Sequence, residues 1–188
     1  MNRPLAVSFL TLALCAAANA AQVAATAKPP VAPAPKSGYR AEVLADLDEL
    51  QKKYVDLAGA VPAEKYRWRP AAGVRSVSEV YMHVAGSNYL LPTFLGIKPP
   101  AVNGDLEKTV TEKAKAVAEL KKSFEHLRGV ILGMSDADLD KGVKMFGQPM
   151  SERQVVTRII THLHEHLGQS IAYARMNGVV PPWSRNEG

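Results

Sequence analysis

The chain has 188 residues, 47% of them hydrophobic and 22% charged, with a net charge of +5; this is enough for one domain with a real core. Its lysines and arginines are spread over amphipathic faces without aromatic interleaving, which argues against a nucleic-acid partner. One cysteine, Cys15, excludes any disulfide within the chain.

In chain order, Arg3 supplies a short positive region, "LAVSFLTLALCAAA" an apolar one, and Ala18-Asn19-Ala20 a small-x-small cleavage pattern. Residues 1–20 read as a secretory signal peptide. The apolar run is too short to span a bilayer as a stable helix, so no stable membrane insertion is expected after cleavage. Lipoprotein anchoring at Cys15 is the lesser reading, because bulky Leu14 is a poor residue to precede the cysteine. The expected address is the periplasm or the medium, and removal of Cys15 with the leader leaves no thiolate ligand or nucleophile. Residues 21–37 are rich in alanine and proline. Pro29, Pro30, Pro33 and Pro35 fix φ and donate no hydrogen bond, giving an extended, semi-rigid tether. The folded domain is expected over 38–188.

Four helical segments follow, with little strand signal. In the first, about 39–59, Val43, Leu47, Leu50, Tyr54 and Leu57 form one apolar stripe on an otherwise charged helix. The second opens at Ser76, where Ser76 and Glu79 make a capping box, and runs to about Leu95, stopped by Gly96 and Pro99-Pro100. The third is expected to open near Thr109 through a Thr109–Glu112 box, with Val110, Val117, Leu120, Phe124, Leu127 and Ile131 as its stripe. The fourth opens at Ser151, with Gln154 completing the box, and runs to about Asn177, where Gly178 and Pro181-Pro182 end it. Between the last two, "LDKGVKMFGQPM" alternates weakly and permits a short hairpin. The expected fold is all-α: a four-helix bundle whose second and third helices are joined by a long crossover. Homodimerisation is compatible with this pattern, although the first helix has no unusual apolar face to fix a dimer.

Three of the five histidines fall in "ITHLHEHLGQS". At about 100° per residue, His162 and His166 share the fourth helix's apolar face with Val155, Ile159, Gln169 and Tyr173. His164 falls on the opposite face. The H-E-x-x-H protease motif is absent, because Gly168 stands where its second histidine would be. His83 lies on the inward face of the second helix with Val80, Ser87, Leu90 and Phe94, and completes a candidate three-nitrogen site. His126 is expected to be exposed. A core-facing histidine is often a neutral group bonded to a neighbour. Burying three imidazoles without strong partners, however, costs several kcal/mol in lost hydration, and a metal removes that cost. From the residues alone both accounts stand. Glu79 is assigned to the capping box, and Trp68 and Trp183 to plugging the bundle ends.

The pair "SVSEVYMHVAG" and "HLHEHLGQSIAYARMNGVVPP", with the preceding "VPAEKYRWRPAAGVRS", resembles the DinB-like superfamily over about residues 38–184. The resemblance implies a four-helix bundle with a long crossover. It implies a divalent metal, zinc or nickel most often, on His83, His162 and His166. Gln169 matches the glutamine of the family's H-x-G-Q run and is expected to support a ligand, with Tyr173 on the same stripe. Characterised relatives include thiol-dependent transferases and isomerases; others are classed as metal-dependent hydrolases, and many have no known activity. The expected function is an exported metal-dependent hydrolase or transferase acting on a small molecule. The alternative is a non-catalytic, metal-stabilised module that binds a ligand or partner.

Overall fold

The structure, a computed structural model, describes residues 33–184. The leader reading over residues 1–20, with Cys15, lies outside the described residues, as does most of the tether.

Helix α1 spans Tyr39–Ala60 and buries the expected stripe, with Leu47, Leu50, Tyr54 and Leu57 at most 1% exposed. Helix α2 spans Val77–Leu90 and continues as a 3-10 turn over Leu91–Leu95. Gly96, at φ 77°, ends it in the left-handed region that glycine adopts without strain. The crossover then runs to a one-turn helix, α3, over Leu106–Thr109. Helix α4 covers Lys113–Gly133 and helix α5 covers Glu152–Met176. Between these two, β1 (Gly142–Met145) and β2 (Gln148–Ser151) pair antiparallel, with Gly142 opposite Ser151 and Met145 opposite Gln148. Their turn residues, Phe146 at φ 49° and Gly147 at φ 81°, both lie at positive φ, the type I′ geometry that matches strand twist.

The start of α4 differs from the sequence expectation. Thr109 is the last residue of the short helix Leu106–Thr109, so its backbone is helical where an N-cap's is extended, and its hydroxyl donates back to the Asp105 carbonyl at 2.8 Å. Asp105 is the cap instead: its Oδ1 accepts from the Glu107 amide at 3.0 Å and starts α3. Val110 ends that turn, and α4 begins at Lys113 without a side-chain cap.

Helices α1 and α2 each pack against both α4 and α5. The ring order is therefore α1–α4–α2–α5, and α2 and α5, which carry His83 and the pair His162 and His166, are neighbours. One hydrophobic cluster fills the centre, including Leu47, Tyr54, Met82, Leu120, Phe124, Ile159 and Leu163. Leu90, placed on the inward face by its spacing, is 52% exposed: it closes α2 and lines the cleft beside the crossover instead of the core. Among the described residues no helix is long and apolar enough to cross a membrane.

Candidate metal centre

Two capping boxes set the register of the helices that carry the site. At α2 the Glu79 amide donates to Ser76 Oγ at 3.3 Å, and the Ser76 amide donates to Glu79 Oε2 at 2.6 Å. At α5 the Gln154 amide donates to Ser151 Oγ at 3.2 Å, and the Ser151 amide to Gln154 Oε1 at 2.8 Å. Each box satisfies helix-start N–H groups that would otherwise have no partner. The α5 stripe then buries Val155, Ile159 and Tyr173 and leaves His162 and His166 half-buried on the side facing α2.

There His83, His162 and His166 converge, each offering a ring nitrogen, with the three donor atoms within 4.8 Å of one another. His83 Nε2 lies 3.2 Å from His162 Nε2. The far nitrogens identify the tautomers. His83 Nδ1 is 3.0 Å from Glu107 Oε1, and His166 Nδ1 is 2.8 Å from Gln169 Oε1. Carboxylate and amide oxygens only accept, so both Nδ1 atoms carry a hydrogen, which leaves Nε2 as the ligand atom of each ring. Gln169 is held in turn by donating from Nε2 to the Tyr173 hydroxyl at 3.1 Å. The Tyr173 ring meets Trp68 edge-on at 5.4 Å. Trp68 thus packs against the site's supporting tyrosine, and Glu79 keeps its capping role while pairing with Arg69 at 3.1 Å.

Glu107 is the participant that sequence reasoning missed. It sits on α3, in the crossover, and nothing in its spacing relates it to His83. Its other oxygen, Oε2, accepts from Arg75 Nε at 2.8 Å. Burial is the main cause that pushes the His162 imidazole down to about 4, reinforced by the neighbouring His166 and His83 and then by Arg75. His83 is lowered too, by burial first and then by Arg75, with Glu107 opposing. His162 and His83 are therefore neutral at pH 7, the form a metal requires.

The other two histidines stay outside the cluster. His164 is exposed and pairs with Asp46 of α1 at 3.2 Å. His126 is half-buried rather than exposed: the Tyr89 ring covers it at 5.4 Å, and its Nε2 is buried with no partner among the described residues.

A family model described as the DinB superfamily matches residues 46–170. The chain belongs to the DinB superfamily. Eight chains of known structure match it. One is a DinB-like protein from Bacillus cereus ATCC 10987, 18% identical, with a TM-score of 0.68 over 74% of this chain and 93% of that one. Another is a DinB-like protein from Bacillus subtilis, 16% identical, with a TM-score of 0.59 over 74% of this chain and 94% of that one. No curated protein matches the chain. At these identities the solved structures establish the fold alone.

The donor set of this DinB-superfamily chain fits a divalent metal. Two nitrogens each about 2.0–2.1 Å from a tetrahedral zinc lie about 3.3–3.4 Å apart, close to the 3.2 Å between His83 and His162 Nε2. His162 Nδ1 is buried without a partner among the described residues. His162 therefore has Nε2 as its only engaged nitrogen, and without a cation it meets His83's lone pair there. Three histidines are thus positioned to hold a metal ion, two of them oriented by side-chain acceptors in the manner of known sites.

Proposed function

We propose that this chain is a metal-dependent hydrolase or transferase acting on a small molecule, with zinc or nickel on His83, His162 and His166. One observation carries the reading: three converging imidazoles, with no carboxylate among the candidate ligands. Such a set leaves coordination positions open, as catalytic sites do and closed structural sites do not. When bound, a divalent metal supplies Lewis acidity, polarising an electrophile and acidifying water or a thiol that reaches it.

The protein's own residues do the rest. Glu107 keeps the His83 proton on Nδ1, and Gln169, braced by Tyr173, does the same for His166. Two clefts border the site. His83 and Glu107 line one, of about 490 Å³. Glu107 and Gln169 line the other, of about 590 Å³. This access favours an enzyme over a buried structural metal.

The test is elemental analysis of protein made without a histidine tag, beside His83→Ala, His162→Ala and His164→Ala. About one metal per chain is expected in the wild type and in His164→Ala, with loss in the other two. Metal retained in all three variants would sink the assignment. Loaded protein that turns over no ester, amide, phosphoester or thiol-transfer substrate would remove the enzymatic half. The reading includes export, supported by the signal-like residues 1–20. N-terminal sequencing of the protein from fractionated cells should begin at Ala21 in the exported fraction, and an intact Met1 would refute it.

A further inference from the structure

The two clefts beside the histidines have opposite chemistry and share one residue. The first lies between α2 and the crossover, lined by Met82, Leu90, Pro99, Val102 and Leu106. Leu90 is 52% exposed there. The second is polar, lined by Arg69, Arg75, Glu79, Glu107 and Gln169. Glu107 lines both, and its carboxylate touches His83. His83, with Glu107 against it, therefore sits where an apolar groove meets a polar one.

The charges of the polar cleft do not balance once a metal is present. Arg69 pairs with Glu79, and Arg75 with Glu107, so those four side chains cancel. The three histidine ligands carry no negative charge. A divalent ion on them leaves its own charge uncompensated, and such an ion is the largest local field in its site. Arg75 is also underused: it engages Glu107 through Nε alone, and its terminal nitrogens have no hydrogen-bond partner among the described residues. A guanidinium with free donors beside a cationic centre is built to receive an anionic oxygen group.

We infer that the substrate is a small amphiphilic anion, its carboxylate or phosphate head held by Arg75 with Arg69 and its apolar part laid in the Leu90–Val102–Leu106 cleft. This rests on the metal reading above.

Isothermal titration of zinc-loaded protein would use octanoate, octyl phosphate, neutral octanamide and acetate, with zinc content measured on each sample. Octanoate, octyl phosphate or both should bind, and whichever is tighter names the head group. Octanamide should bind at least about tenfold more weakly, because the charge-assisted bonds are lost. Acetate should also fall behind octanoate, because it leaves the apolar cleft empty. Arg75→Gln should keep its zinc and lose roughly 10- to 100-fold in anion affinity. Equal binding of octanamide and octanoate, or an unchanged anion affinity in Arg75→Gln at full zinc content, would overturn the inference and leave the metal site standing. Protein that takes up no zinc would overturn the metal reading first and this one with it.

Discussion

At the scale of single residues, the site depends on which atom holds each proton. Glu107 fixes His83 Nδ1 at 3.0 Å, so Glu107→Gln should disturb the ligand without removing it. Loss of such a supporting carboxylate typically weakens metal binding by about 10- to 100-fold. Competition with a chromogenic chelator should show that loss for Glu107→Gln and none for His164→Ala, since His164 bonds to Asp46 instead. The His162 imidazole makes a second prediction. Its folded value of about 4 lies below its ordinary value of 6.5. Between those values the unfolded chain binds the proton and the folded chain does not, so stability rises with pH there. The contribution is fully present above about pH 6.5 and is lost as pH falls through about 4. Denaturant melts of metal-free protein between pH 7 and pH 4 should show a slope that His162→Gln flattens. Unchanged slopes would mean that His162 is not buried neutral.

At the scale of elements, α5 is pinned where it carries the ligands. Tyr54 of α1 donates its hydroxyl to the carbonyl of Leu163 at 2.6 Å, one residue past His162. The same ring packs against Phe124 of α4 at 5.5 Å. Tyr54→Phe removes the bond and keeps the packing, so it should cost about 1 kcal/mol, or roughly 2–4 °C in Tm for a chain of this size. Zinc content should stay unchanged, because the backbone bonds of α5 still hold His162 and His166 one turn apart. A scanning melt with elemental analysis checks both. The elements also show how far the sequence was legible. The α1 stripe and the Ser76 and Ser151 boxes were readable because helix period and capping are local. The Thr109–Glu112 box was a misreading, because Thr109 closes the short helix that Asp105 caps, and Glu112 itself stands at the cap position of α4. His126 was misjudged for a different reason: its cover, Tyr89, comes from another helix.

At the scale of the whole molecule, the core and the metal centre are separable. The central cluster packs Leu47, Tyr54, Leu120, Phe124 and Leu163 without using the histidines. Chelator-treated protein should therefore stay helical, unlike small zinc domains that unfold without metal. Binding only the folded state, metal at about a thousand times its Kd adds about 4 kcal/mol. For a domain of this size that is roughly 8–16 °C in Tm. Circular-dichroism melts with zinc and with chelator should show equal helical signal at 20 °C and that separation on heating. Coincident melts would argue that no metal couples to the fold.

The sequence by itself determined the four amphipathic helices, the Ser76 and Ser151 caps and the three inward histidines. Each follows from a rotation of about 100° per residue acting over a few turns. Only the tertiary structure decided that α2 and α5 are neighbours, and so that His83 meets His162 and His166. It alone brought Glu107 and Arg75, 32 positions apart in the chain, to one side of that cluster. Helical period specifies which way a side chain faces. It carries no information about which loop will arrive opposite, because that is settled by how the helices pack and where the crossover is then free to run.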